Sequence, residues 1–415
     1  MPPCATWNAG RWDIVSRMRI PPQSAAFVLL LGAMSAMPPF ATDLGLPALG
    51  TIAGSLHTSA GMSGLTISLF MAGFTATPLI YGPVSDRYGR KPVLVGGLSA
   101  FAVASLLCAL APSIATLLIA RLLEGAGAGA GITMAFAIVR DLFSGAPART
   151  RLSMVTVVLN TAPVISPTVG ALILTFAGWR AIYGTLAAIG FLVVFASLFG
   201  YRESRDRQTI GPRGSLVAGY RRLLGNRSCV GHFLIYGLSF GSAFAYISGS
   251  SLVVITLYRA SPTEYGLLFA CTALGIVFGA TLNGWLSTRR THRLPMLPTG
   301  LAGMIAVTVL LTLLALSGPV RLPVLVPLFF LVTFSFGIIA PNASHGTLEP
   351  IPEIAGVASG VLASFQMLCA TVASTLVSLL FARFGLSAVV GTMLIFAIAA
   401  GLAYLAVPRA ALSAA

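Results

Sequence analysis

GPVSDRYGRKPVL, residues Gly82 to Leu94, holds four charged side chains (Asp86, Arg87, Arg90 and Lys91) in a chain where only 8% of residues are charged. Long apolar runs stand on both sides of it. Its reading as a short polar connection between two membrane-crossing helices decides the fold, and composition agrees. A soluble domain carries about a quarter charged residues, whereas this chain of 415 residues is 57% hydrophobic with a mean hydropathy of +0.93. Most of its surface is therefore built to face lipid. A spanning helix takes about 20 apolar residues, so the length has room for about a dozen. The alternation of apolar and polar residues that marks a membrane β-barrel is absent.

Apolar runs separated by polar punctuation predict twelve helices, over 22–46, 60–83, 92–111, 114–139, 152–177, 181–200, 229–256, 263–287, 294–317, 322–343, 354–381 and 386–407. Pro78, Pro163 and Pro167 fall inside these spans, where neighbouring helices can re-satisfy freed backbone groups. Arg11, Arg17 and Arg19 precede the first apolar run in the manner of a secretory signal. That run continues to Phe40 and then meets ATDLGLPAL, so an uncleaved first helix is expected.

The basic residues set the topology. With the N-terminus in the cytoplasm, 20 of the 25 Lys and Arg residues fall in inside segments. Four, Arg180, Arg259, Arg321 and Arg383, fall outside, and Arg121 lies within a helix. By the positive-inside rule this split puts both termini in the cytoplasm. It also accounts for the net charge of +15 without a nucleic-acid partner. The expected location is the inner (plasma) membrane, as a multi-pass monomer embedded in the lipid bilayer.

The segment 201–228 is the only long charged connection. It divides the chain into a six-helix bundle over 1–200, a cytoplasmic linker, and a second bundle over 229–415. LSTRRTHRLPML (Leu286–Leu297) echoes the basic, proline-ended sense of the opening stretch, and both follow the second helix of their half. Parallel six-helix repeats of this kind are an architecture of secondary transporters. The five cysteines are scattered and mostly within apolar runs, which argues against a disulfide framework. The four histidines show no ligand spacing, so no metal site is expected.

The opening stretch resembles the G-x-x-x-D-R-x-G-R-[RK] signature of the major facilitator superfamily through Gly82, Asp86, Arg87, Gly89, Arg90 and Lys91. RLLEGAGAGAG (Arg121–Gly131) is similar to that superfamily's fourth-helix motif. PVISPTVGALI (Pro163–Ile173), with Pro163, Pro167 and Gly170, is similar to the fifth-helix motif of its antiporters. ATDLGLPALGTIA (Ala41–Ala53), IVRDLF (Ile138–Phe143), GWRAIY (Gly178–Tyr183), FAYISGS (Phe244–Ser250) and EIAGVASG (Glu353–Gly360) resemble the Bcr/CflA drug-resistance group of drug:H⁺ antiporters. Two positions depart from that group: Glu124 stands where Gln is usual, and Gly45-Leu46-Pro47 where Tyr-Leu-Pro is usual. The resemblance implies twelve helices in two bundles, alternating access, small-molecule substrates and coupling to protons, with no cofactor beyond the proton gradient.

The residues themselves carry a matching chemistry. Ionisable groups in a bilayer core are costly and mark pathways or partners; here they are Asp43 in the first helix and Arg121 and Glu124 in the fourth. If the first helix ends near Pro47–Ala48, Asp43 lies about 6–8 Å below its outer end, and Arg121 lies roughly 12 Å down the fourth. The two are expected to meet at similar depth, with Glu124 on the face of Arg121. Desolvation favours the protonated form of a carboxyl and a nearby cation the ionised form. A carboxylate alternately near to and far from Arg121 can therefore load and release a proton. Asp43 is the first candidate for this carrier and Glu124 the second; a permanent Arg121–Glu124 pair is the alternative.

The charged stretch reads as a cytoplasmic gate that locks in one state and parts in the other, or as a topology anchor. Phe70, Asn160, Phe244, Tyr246, Asn342 and Gln366 are expected to contribute to a mainly apolar substrate cavity. The function expected is proton-coupled export of small, largely apolar compounds. A carrier of a natural metabolite such as an amino acid, sugar or siderophore on the same fold is the nearer rival, and a membrane enzyme or receptor the more distant one. Catalytic motifs and a Gly-x-x-x-x-Gly-Lys nucleotide loop are absent from the sequence.

Overall fold

The computed structural model describes residues 20–204, 216–287 and 295–407. Among these residues eleven helices are long and apolar enough to cross a membrane. They are α1 (Ala25–Ser55), α2 (Ala60–Tyr88), α3 (Arg90–Ala109), α4 (Ile114–Leu142), the run Gly145–Gly200, α7 (Arg227–Leu257), α8 (Pro262–Ser287), α9 (Met296–Ser317), α10 (Leu322–Leu348), α11 (Gly356–Phe384) and α12 (Leu386–Leu405). The run Gly145–Gly200 has 56 residues, or about 84 Å of helix, against a hydrocarbon core of about 30 Å. It is a hairpin. Gly178, at φ 77° and ψ 175°, turns the chain through a region that residues with a Cβ avoid. The two arms are α5 (145–177) and α6 (179–200), which makes twelve crossings and an all-α membrane protein.

Two expected boundaries are corrected. The first helix does not end near Pro47–Ala48: a 3₁₀ turn at Leu46–Ala48 leads into a further helical segment, Leu49–Ser55. The connection between α2 and α3 is not a loop of charged residues. Asp86 and Arg87 belong to the last turn of α2, Arg90 opens α3, and Gly89 alone separates them. The echo of the opening stretch lies largely at 288–294, outside the described residues, as do the arginines before residue 20 and those at 205–213.

In the first half, α1 packs on the α5/α6 hairpin, while α4 packs on α2 and α3. The glycines of α4 permit this: a Cβ on Gly125 would strike the backbone of Phe70 in α2, and one on Gly127 the backbone of Phe101 in α3. In the second half, α7 packs on α10, α11 and α12, and α8 on α10. The halves meet chiefly where α2 lies along α11 and where α5 lies along α8.

Contact between the halves is closest at the end carrying the α1–α2 connection, which the charge distribution assigns to the outside. Gly61 of α2 abuts the Ser378 carbonyl of α11, and a Cβ on Gly64 would lie 3.3 Å from that of Ser378. Gly266 of α8 would place a Cβ 2.9 Å from the Thr168 Cα of α5. No packing of this extent joins α4 to α10. The halves are thus in closest contact at their expected outer end.

Candidate coupling site and cytoplasmic cluster

Pro47 explains where α1 breaks. It has no N–H to give to the carbonyl of Asp43, four residues earlier, and the regular part of the helix ends at Asp43. The Leu44 N–H still bonds to the Phe40 carbonyl at 3.1 Å. Because α1 continues to Ser55, Asp43 lies about 18 Å from its outer end at 1.5 Å per residue, deeper than expected. The side chain is enclosed, with Asp43 only 5% exposed. Among the described residues no hydrogen bond or ion pair reaches its carboxylate.

The break beside Asp43 is packed by α5, with α8 and α7 beyond. Gly170 of α5, in the motif with Pro163 and Pro167, abuts the Leu44 carbonyl so closely that a Cβ could not fit. Pro167 is buried and its carbonyl would lie 3.3 Å from a Cβ on Gly266 of α8, while Pro163 is half-buried. The motif thus wedges α5 between the break in α1 and the opposite half of the molecule. Tyr265 of α8, fully buried, lies within electrostatic reach of Asp43, and its hydroxyl is 2.9 Å from Ser250 Oγ of α7.

No hydrogen bond or ion pair joins Asp43 to Arg121 among the described residues. Arg121 Nη1 donates to Glu124 Oε2 at 2.6 Å, and its Nε donates to the Thr66 carbonyl at 3.1 Å. Its guanidinium lies 4.4 Å from the ring centre of Phe70 and 5.6 Å from that of Tyr183. Ser105 Oγ donates to the other oxygen of Glu124 at 2.7 Å, and the Cys108 thiol reaches Oε2 at 3.6 Å. Arg121 and Glu124 are 1% and 0% exposed. Such a pair balances its desolvation cost only through this dense bonding, and losing one member leaves a buried charge. Tyr183 links the two places: its ring faces Arg121, and its hydroxyl would lie 3.6 Å from a Cβ on Gly45, two residues past Asp43.

The residues expected in a substrate cavity scatter. Phe70 is fully buried between α2 and α4 beneath Arg121. Tyr246 is also buried, its hydroxyl 2.5 Å from Thr272 Oγ1 and its ring stacked 4.5 Å from Phe329. Asn342 is half-buried and donates to Asn283 Oδ1 at 2.7 Å. Gln366, half-buried on α11, lies near the Tyr236 hydroxyl of α7. The side chain of Asn160 lies outside the described residues.

An aromatic cluster draws several of these together. Phe244 is 5.5 Å from Phe240, which is 5.4 Å from Phe336 of α10; Tyr236 is 6.1 Å from Phe336. Tyr236 and Phe240 are partly exposed. Their spacing along α7, with Phe233 and Phe244, is that of one helical face, a signal the sequence carried.

The opening stretch forms a bonded cluster. Arg90 pairs with Asp86 at 3.0 Å and Asp141 of α4 at 2.8 Å, and donates to Ser85 Oγ at 2.6 Å. The carboxylate of Glu203, just past α6, accepts the backbone N–H groups of Arg90 and Lys91, each at 2.9 Å. It satisfies two of the free donors that open α3. Gly89, at φ 103°, makes this possible, since a Cβ there would lie 2.6 Å from Glu203 Oε2. Lys91 Nζ donates to the Leu198 carbonyl at 2.7 Å. Tyr201 and Ser204 extend the network to Asp141, with Ser204 Oγ 3.4 Å from Oδ2. Burial pushes the Tyr201 phenol up, so it stays a neutral donor. Arg87 stacks on Tyr88, 5.4 Å from the ring centre, and Gly82 has open space around it. Asp141 and Glu203 were not among the sequence candidates, although Asp141 lies in the quoted IVRDLF.

The chain has relatives among known proteins. An uncharacterized MFS-type transporter of Bacillus subtilis, YdgK, is 34% identical over 358 residues, spanning 85% of this chain and 89% of that one. A bicyclomycin resistance protein homolog of Haemophilus influenzae is 28% identical over 354 residues, 85% and 88% of the two chains. The crystal structure of a bacterial homolog of the human lysosomal transporter Spinster, inward-facing and unoccupied, covers 92% of this chain and 96% of its own. It has a TM-score of 0.77 at 15% identity, a likeness of fold. The model of the Major Facilitator Superfamily matches residues 25–374. This multi-pass membrane protein belongs to the major facilitator superfamily and is a secondary transporter, not an enzyme.

Proposed function

We propose that this transporter exports small, mostly apolar compounds in exchange for protons, in the manner of the Bcr/CflA drug antiporters, with Asp43 as the proton carrier. One observation carries the reading: Asp43 is an enclosed carboxylate with no hydrogen bond or ion pair among the described residues, at the break of a helix that touches both halves, while Glu124 is held by Arg121. A bonded pair is a poor carrier because releasing or binding its proton dismantles several contacts at once. An unpartnered carboxylate changes state with little else disturbed. The partly exposed aromatic face of α7 supports an apolar substrate, and the drug-resistance relative supports export.

In this scheme the bundles 1–200 and 229–415 rock about the contacts of α2 with α11 and α5 with α8. With the termini in the cytoplasm of a plasma-membrane protein, the end of closest contact faces outward. The Arg90 cluster holds the inner ends of α2, α3, α4 and α6 as one body while the halves part. The decisive assay is proton release on adding drug to detergent-solubilised protein. Wild type should release protons and Asp43→Asn should not. Full release from Asp43→Asn with loss in Glu124→Gln would move the carrier to α4. A toxic-compound panel in a pump-deficient host separates drug export from transport of a natural metabolite.

A further inference from the structure

A short helix, Leu216–Gly225, lies between the two halves of the chain. Leu223 is fully buried and packs with Cys229, Ile351 and Ala358. Gly219, four residues earlier, would place a Cβ 3.3 Å from Val357. These two residues share one face, and that face fixes the helix against the entry of α11. Asn226 then turns the chain at once into α7: its side-chain oxygen accepts from the Ser228 and Cys229 N–H groups at 3.0 and 3.2 Å. The helix is therefore held at the level where α7 enters the membrane.

At about 100° per residue, the rest of the helix divides into unlike faces. Tyr220 and Leu224 lie on the flank next to the protein contact, and Leu224 is 61% exposed. Arg221 follows on the outer edge of that apolar flank and is exposed, with no partner among the described residues. Arg222 lies on the other side, where Nη2 is 3.5 Å from Glu353 Oε1. Arg227, the first residue of α7, is also exposed. An exposed leucine edged by arginines, on a helix pinned at a membrane boundary, has the pattern of an interfacial helix.

We propose that this helix and the first turn of α7 form a docking site for an anionic phospholipid of the adjacent leaflet. Leu224 and Tyr220 enter the boundary between headgroups and acyl chains. Arg221 and Arg227 flank the headgroup phosphate, their apolar stems lying along the lipid. Glu353 faces Arg222 and not the phosphate position, so the site keeps two cations for one anion. Lipid at this position would hold the linker against the entries of α7 and α11.

The test uses the full-length protein in mixed micelles, with phosphatidylglycerol, phosphatidylcholine of the same chains, and soluble glycerol phosphate as probes. Retained lipid is read by native mass spectrometry and the melting temperature by fluorescence. Phosphatidylglycerol should be retained and raise the melting temperature, and the other two should do neither. Arg221→Gln should lower phosphatidylglycerol retention about fivefold, as expected for removing one basic group beside an anionic surface. Leu224→Gln should lower it too, with the protein still folded because Leu224 is exposed. Arg222→Gln should leave retention near wild type. Three results would overturn the proposal: equal retention of the two lipids, equal loss in Arg222→Gln, which signifies diffuse charge attraction, or competition by glycerol phosphate, which signifies a free-phosphate site.

Discussion

Arg121 spends its charge on Glu124, 2.6 Å away and three residues along the same helix, and none of it directly on Asp43. The two acidic groups of the membrane interior are thus unlike. One is locked in a network of four helices through Thr66, Ser105 and Tyr183; the other is enclosed and makes no hydrogen bond or ion pair among the described residues.

Asp43→Asn should therefore abolish uphill export driven by a pH gradient while leaving downhill drug movement and folding nearly intact. It keeps the size of the side chain and removes only the titratable proton. The check is drug efflux in proteoliposomes with and without an imposed gradient. Equal loss of both fluxes would place Asp43 in substrate binding instead.

Arg121→Ala should damage folding first. It strips the pair from Glu124 and leaves that carboxylate buried, a cost of about 3–5 kcal/mol for a broken buried pair. Glu124→Gln keeps an acceptor for Ser105 but leaves the permanently charged Arg121 buried without a counter-charge, so it should lower stability by a comparable amount. Melting of the two variants in detergent is the check. Either variant melting like wild type would mean the pair does not hold the bundle.

The sequence made the helices legible because each apolar run is long and its breaks are polar. It made Asp43 visible as a rare charge but misplaced it, since Pro47 reads equally as the end of a helix and as a break within one. The i, i+3 spacing of Arg121 and Glu124 was legible as a shared face. Their partners Thr66, Ser105 and Tyr183 were not, because those come from α2, α3 and α6 and depend on how the helices cross. Glu203 was hidden for the same reason: it is 113 residues from the Arg90 N–H that it accepts.

The cytoplasmic cluster ranks its own members. Asp141 binds Arg90 through both oxygens, at 2.8 and 3.4 Å, while Asp86 is the more exposed partner. Asp141→Asn should lower stability by roughly 1.5–3 kcal/mol, the range for hydrogen bonds to charged groups. Asp86→Asn should insert normally yet transport poorly if the cluster must hold these helix ends as one body. Normal transport by Asp86→Asn would reduce the opening stretch to a topology anchor.

Topology can be checked with reporter fusions at the connections the structure defines. Fusions after Thr58, Pro112, Ala260 and Gly385 should report the outside, and those after Ser144, Gly225 and Pro350 the cytoplasm. Two successive connections on one side would break the twelve-crossing arrangement, and with it the hairpin at Gly178.

The contact between α2 and α11 offers a direct test of alternating access. A Cβ at Gly64 would stand 3.3 Å from the Cβ of Ser378, close to the separation of about 3.5–4.5 Å that a disulfide spans. Gly64→Cys with Ser378→Cys should therefore cross-link on mild oxidation, in a background where the exposed Cys271 is replaced by Ser. The bond should stop transport by holding the outer end shut, and reduction should restore it. Each single cysteine should transport in both conditions. Cross-linked protein that still transports at the wild-type rate would mean that this end does not open during the cycle. Substrate would then have to leave by a route that keeps α2 and α11 together.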